Sequence, residues 1–253
     1  MLEILGGLST RVKTGIALIV AMLIIGYIDS YFIFWLLFGV MLIISVKEAK
    51  TLYGLEDKSI YIYIVLLWVA IYFYPMPVDL IFIVAIGYAS QLAYKRKLDR
   101  KMVLPLLYPT ASFVFLMTLY NEFGVMVLFW LLVIVAATDT GAYFAGKAFG
   151  KTPFSETSPN KTLEGVVGGM TLAIILGSLT AINEIGILGA IIVSAIVSLS
   201  SVFGDLYESY LKREAGVKDS GNILPGHGGV LDRVDGYLFG AIVMLVLLRV
   251  IIW

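Results

Sequence analysis

The chain has 253 residues, 60% of them hydrophobic and 14% charged, with a mean hydropathy of +0.97. A soluble domain carries roughly 25% charged residues, so this is the composition of an integral membrane protein. A formal net charge of zero removes the bulk attraction that nucleic-acid binding uses, and the absence of cysteine beside a single histidine excludes disulfides, thiolate chemistry and metal sites built from those residues, leaving oxygen ligands for Mg²⁺, Mn²⁺ or Ca²⁺.

Apolar runs of about 17–25 residues can cross a bilayer as helices. In chain order, residues 14–27, 31–46, 59–74, 78–94, 103–120, 125–149, 165–182, 185–211 and 236–253 read as such runs. The expectation is an all-α polytopic bundle of about nine transmembrane helices. Arg11 and Lys13 precede the first run, but no small-x-small cleavage site follows it, so it reads as an anchor.

The basic residues are one-sided. Lys47, Lys50 and Lys58 follow the second run, and Lys95, Arg96, Lys97, Arg100 and Lys101 follow the fourth. Lys147, Lys151 and Lys161 flank the loop after the sixth, and Lys212, Arg213, Lys218 and Arg233 follow the eighth. The alternate connections hold Asp29, Asp79, Glu122 and Glu184. The positive-inside rule then places the N-terminus and all basic loops in the cytoplasm and the C-terminus outside, in a multi-pass cell-membrane protein. Arg249 is left over near the outer end, where it is expected to snorkel beside Trp253.

Composition divides the chain into residues 1–130, bland spans expected to be scaffold and to carry any homodimer contact, and residues 131–253, a region with awkwardly placed polar groups and a cytoplasmic loop at 212–235 that is expected to carry any catalysis. Asp139 falls near the inner end of the sixth run, where a carboxylate costs on the order of 3 kcal/mol. Asp139, Tyr143 and Lys147 are spaced along one helical face. Lys161 precedes a fresh, glycine-rich helix start, a favourable place for an anion. Asp205, Glu208, Ser209 and Lys212 share one face of the eighth run. Glu208 and Lys212 read as a solvated helix-end pair, whereas Asp205 is still flanked by membrane residues.

The loop 212–235 concentrates Lys212, Arg213, Lys218 and Arg233 with Asp219, Asp232, Asp235, His227 and a Gly-His-Gly-Gly turn. Cations neutralise phosphate oxygens, carboxylates hold Mg²⁺, and consecutive glycines aim backbone N–H groups at an anion. This inventory suits a polyphosphate. Asp232 and Asp235, three apart, share a face if helical and point where Asp205 could meet them.

The segment Ser209-Tyr210-Leu211-Lys212-Arg213, four residues, then Lys218-Asp219-x-Gly221-x-x-Leu224-Pro225-x-His227-Gly228-Gly229-Val230-x-Asp232-Arg233-Val234-Asp235, resembles the signature of phosphatidate cytidylyltransferases, the CDP-diacylglycerol synthases. Asp139-Thr140-x-Ala142-Tyr143 and Ser158-Pro159-x-Lys161-Thr162-x-Glu164-Gly165 resemble that family's earlier motifs. The long signature is highly specific and the shorter two are supportive; together they cover residues 139–235.

The resemblance implies that CTP and phosphatidic acid react in the bilayer to give CDP-diacylglycerol and pyrophosphate. It implies Mg²⁺ and a second cation such as K⁺ or another Mg²⁺. The family's metal-binding pair falls on Asp205 and Asp232, with Lys212, Lys218 and Arg233 beside them in catalysis. Substrate contacts fall on Asp139, Lys161, Ser209, Arg213, Asp219, His227, Gly228, Gly229 and Asp235. Three alternatives stand beside this reading. They are a CDP-archaeol synthase on an ether lipid, a CTP-dependent polyprenol or phytol kinase, and an ion-coupled transporter using Asp139 and Asp205.

Overall fold

The computed structural model describes residues 2–95 and 99–252, with side chains from Val12 onward. Arg96, Lys97, Trp253 and the Arg11 side chain, named in the charge argument, lie outside the described residues. The α-helices are α1 Leu2–Ile28, α2 Tyr31–Leu52, α3 Ile60–Phe73, α4 Pro77–Tyr94, α5 Ser112–Phe123, α6 Val125–Phe149, α7 Leu163–Thr180, α8 Gly186–Glu214 and α9 Leu231–Ile252. Among the described residues, seven helical stretches are long and apolar enough to cross a membrane. Of the other two runs expected to span, the third forms the shorter apolar helix Ile60–Phe73, and the first lies within α1, whose side chains are described from Val12.

The fifth run is not one regular helix. A 3₁₀ turn, Arg100–Val103, and a π-helical turn, Leu106–Ala111, precede α5. Pro105 and Pro109 lack the N–H that an α-ladder needs, and the Thr110 hydroxyl donates to the Pro105 carbonyl at 2.7 Å.

The chain divides into two compact units, residues 1–117 with 214–233, and residues 118–213 with 234–253. Most of the loop 212–235, expected within a C-terminal catalytic region, therefore belongs with the N-terminal unit. In that unit α2 and α3 are joined by a reciprocal tryptophan pair. Trp35 Nε1 donates to the Trp68 carbonyl at 2.8 Å, and Trp68 Nε1 to the Trp35 carbonyl at 3.0 Å. Both indole N–H groups are thereby satisfied in an apolar setting where an unmet donor would be costly.

In the second unit, α6 and α7 approach almost backbone to backbone. A Cβ on Gly169 would lie 2.4 Å from the Thr138 carbonyl, and one on Gly141 2.8 Å from the Gly168 carbonyl. Small residues at such spacing let membrane helices pack closely where no hydrophobic drive exists between them. Gly204 of α8 does the same against α9, where a Cβ would meet the Asp235 carbonyl at 2.4 Å. Thr138 and Ser198 share a buried hydrogen bond of 2.7 Å between α6 and α8.

Arg249 does not stand alone at its end of α9. Its Nε donates to Glu122 Oε2 at 3.0 Å. A charge at membrane depth is stabilised by an opposite charge more than by snorkelling alone, so the residue left over from the charge pattern has a carboxylate partner.

Candidate active site

In the second unit a cleft of about 400 Å³ opens among α6, α7, α8 and the loop before α7. Asp139, Tyr143 and Lys147 line it from α6, as their shared face requires, with Lys161 from the loop and Asp205 from α8. Lys161 Nζ forms an ion pair with Asp205. The Lys147 ammonium lies 5.9 Å from the Tyr143 ring centroid. Ser209, one turn beyond Asp205, donates to Asp205 Oδ1 at 3.4 Å. Asp235 of α9 lies within electrostatic range of Asp205, Asp139 and Lys212, whereas Asp232, the other α9 carboxylate singled out, belongs to the other unit.

The backbone around Lys161 is held by a second carboxylate. Glu164 accepts from Lys151 N at 3.1 Å, Thr152 N at 3.2 Å and Thr152 Oγ1 at 2.9 Å. Phe154 N donates to the Lys161 carbonyl at 2.8 Å, and Leu163 N to the Thr152 carbonyl at 2.9 Å. The loop is thus a pinned hairpin. Thr162 caps α7 by accepting from Gly165 N at 3.1 Å. This fixes where Lys161 enters the cleft.

The Glu208–Lys212 pair corrects an expectation. Its contact is buried, with side-chain exposures of 0% and 13%, because α8 continues to Glu214 as a packed helix and does not end in solvent at Leu211.

The signature loop belongs to the other unit. Asp232 Oδ2 accepts three hydrogen bonds, from Ser220 N and Ser220 Oγ at 2.9 Å each and from Gly229 N at 2.8 Å. The turn closes with His227 N on the Leu224 carbonyl and Leu224 N on the Gly228 carbonyl, both at 2.9 Å. Gly228 has φ +83°, a conformation open to glycine at little cost. Arg233 Nε donates to the His227 carbonyl at 2.8 Å. Arg213, Lys218, Asp219 and Arg233 are exposed, and His227 is half-buried. The loop therefore has a bound framework and a solvent-facing set of cations.

Sequence reading missed Glu48. It lies on α2, is 5% exposed, and accepts from Val230 N at 3.0 Å and Leu231 N at 2.8 Å. The available signal was an acid within an otherwise basic helix end, Lys47-Glu48-Ala49-Lys50.

Residues 9–251 match the model of the Cytidylyltransferase family. The chain belongs to the cytidylyltransferase family. A phosphatidate cytidylyltransferase of Helicobacter pylori strain J99 is 48% identical over 243 residues, which is 95% of this chain and 91% of that protein. One from Thermotoga maritima is 33% identical over 264 residues, 96% and 97% of the two chains. One from Bacillus subtilis is 46% identical over 123 residues, 47% of this chain and 46% of its own. The first two matches run nearly end to end, so the likeness of this cytidylyltransferase to its relatives extends well beyond the motifs of residues 139–235.

A carboxylate such as Asp205 could hold a hard cation such as Mg²⁺. That ion keeps waters and takes one or two carboxylates plus substrate phosphates rather than an all-protein cage. Among the described residues no cluster of three or more acidic or imidazole groups forms such a cage. Asp205, on the cleft wall and oriented by Ser209, is a carboxylate of the required kind.

Proposed function

We propose that this protein transfers the cytidylyl group of CTP to phosphatidic acid, releasing CDP-diacylglycerol and pyrophosphate. The observation that carries this reading is the cleft in which Lys161 and Asp205, from separate motifs, meet beside Asp139. A phosphate oxygen of phosphatidic acid attacks the α-phosphorus of CTP, and the bond from that phosphorus to the bridging oxygen of the β-phosphate breaks. The attacking phosphate is already anionic at neutral pH, so no general base is required. What must be supplied is charge compensation for two approaching anions and for the departing pyrophosphate.

Lys161 and Lys147 supply fixed positive charge within the cleft, and Lys212 stands near Asp235. The exposed cations Arg213, Lys218 and Arg233, with the Gly226–Gly229 turn, are assigned to the CTP phosphates. On the family signature Asp205 and Asp232 would hold Mg²⁺, with Asp235, within electrostatic range of Asp205, as a further ligand or support. Bound there, the ion would neutralise phosphate oxygens and stabilise the leaving pyrophosphate. A second cation, Mg²⁺ or K⁺, belongs to the same reading. An ion taking Asp205 would also release Lys161 from its pairing toward a phosphate.

The same reading orients the protein with its N-terminus and site on the cytoplasmic face of the cell membrane, on the strength of the one-sided basic residues. The chemistry requires CTP, a phosphatidic acid and a bilayer, and it does not require a homodimer.

The test is incubation of purified protein with phosphatidic acid, Mg²⁺ and CTP labelled at the α- or the γ-phosphate. Label from the α-position should enter the lipid, and label from the γ-position should leave as pyrophosphate. Lipid labelled only from the γ-position would mark a kinase acting on an alcohol, and no labelled lipid would overturn the assignment. An archaeal-type ether phosphatidate run in parallel reads the lipid preference.

A further inference from the structure

We propose that Glu48, which lies outside every motif that carries the family likeness, is a positioning residue that sets the shape of the nucleotide-binding loop; the role of that loop rests on the cytidylyl-transfer reading. Glu48 is one-twentieth exposed and is separated from its partners by more than 170 positions. Its two carboxylate oxygens take the backbone N–H groups of Val230 and Leu231 at 3.0 and 2.8 Å. These are orphan donors at the start of α9, where a negative charge is also favoured by the helix dipole. Ser220 Oγ lies 3.4 Å from Glu48 Oε2 and 2.9 Å from Asp232 Oδ2. One hydroxyl thus sits between two carboxylates, one from α2 and one from the loop's own helix.

The second observation is steric. A Cβ on Gly221 would lie 2.5 Å from Glu48 Oε1, and its next two contacts would be Glu48 Cδ and Cγ at 3.0 and 3.2 Å. A Cβ on Gly229 would lie 2.5 Å from Ser220 Oγ and 2.6 Å from Glu48 Oε1. Neither glycine has a positive φ, so backbone conformation does not demand glycine at either position. Space for the Glu48 carboxylate does. Two glycines of the signature are therefore fitted to a residue on α2, and the loop is folded around it. The exposed cations of the loop project from the framework this carboxylate holds, so Glu48 acts through the loop and not on substrate.

The experiment pairs kinetics with hydrogen exchange on full-length protein in lipid nanodiscs. Glu48→Gln keeps the shape but sets an amide NH₂ against one of the two backbone donors. It should lower kcat/KM for CTP by roughly 10–100-fold, the usual scale for a supporting shell. KM for phosphatidic acid should change little. Exchange should rise in peptides covering residues 220–232 and stay unchanged in α6 and α7. Gly221→Ala, which leaves Glu48 in place, should give the same pattern. Combining Gly221→Ala with Glu48→Ala should be no worse than Glu48→Ala alone, because the methyl enters the vacated space. Wild-type CTP kinetics and loop exchange in Glu48→Gln would overturn the proposal. So would a Gly221→Ala variant with both unchanged, which decides the matter should Glu48→Gln fail to fold. Exchange is measured without substrate, so a wild-type protein that makes no CDP-lipid would sink the functional reading and leave this arm intact.

Discussion

Lys161 and Asp205 stand 44 positions apart in the chain and form an ion pair on the wall of one cleft. Each comes from a different motif, and each is half-buried. The pair means that Asp205 carries a counter-charge even without a metal ion. Asp205→Asn should lower turnover by orders of magnitude at every Mg²⁺ concentration. Lys161→Met leaves the carboxylate unpaired by protein, so it should lower turnover while shifting half-saturation to lower Mg²⁺. A Mg²⁺ titration at saturating CTP separates the two, and identical titration curves for Lys161→Met and wild type would show that the lysine does not compete with the ion.

The buried Glu208–Lys212 pair changes what substitution there should do. Exposed pairs contribute about 0–1 kcal/mol. Breaking a buried pair by neutralising one partner costs about 3–5 kcal/mol. Glu208→Gln should therefore lower thermal stability markedly, read by a fluorescence melt in detergent, and restoring neutrality with Glu208→Gln/Lys212→Met should recover part of it. A melt for Glu208→Gln indistinguishable from wild type would show that the pair behaves as solvated.

The α6–α7 crossing is a steric prediction. Gly169→Leu places a side chain where even a Cβ would lie 2.4 Å from the Thr138 carbonyl, and the helices must separate. Since both helices line the cleft, activity and thermal stability should fall together. Gly15→Ala, on α1, offers a control, because its Cβ would meet only His227 Nε2 at an ordinary 3.9 Å.

Much of this was legible in sequence because it depends on local spacing. The helical face of Asp139, Tyr143 and Lys147 follows from period alone, and the cleft has all three. The broken fifth helix was also signalled, by Pro105 and Pro109, although hydropathy hid it. Glu48 could not be read this way. Its partners at 220, 230 and 231 lie far along the chain, and one acid among lysines has the pattern of a solvated helix end. The burial of Glu208 was hidden for a related reason, since local spacing pairs it with Lys212 whether or not water surrounds the pair. Asp232 was read as a metal ligand from the signature, and its three hydrogen bonds inside the loop were not foreseen.

Topology is tested by single cysteines, which the cysteine-free chain makes simple. Met76 and Glu184 are exposed in connections assigned outside, and Asn222 is exposed in the loop assigned inside. Cysteines at 76 and 184 should react with a membrane-impermeant thiol reagent in intact cells, and one at 222 only after permeabilisation. Labelling at 222 but not at 184 in intact cells would reverse the orientation.

Asp232 has two candidate duties, and they can be separated. Its Oδ2 holds the loop through Ser220 and Gly229, and the family signature assigns it to Mg²⁺ with Asp205. Ser220→Ala removes one hydrogen bond of the clamp and no ligand. It should cost about tenfold or somewhat more, as supporting contacts do, with an unchanged Mg²⁺ dependence. Asp232→Asn removes a charged ligand as well. It should lower turnover by orders of magnitude and shift the Mg²⁺ dependence. Combined with Asp205→Asn, the loss should be far smaller than the product of the two single losses, because ligands of one ion act as a unit. If instead Asp232→Asn and Ser220→Ala give the same modest loss and superimposable Mg²⁺ titrations, Asp232 is a clamp alone, and Asp235, already within range of Asp205, becomes the partner ligand.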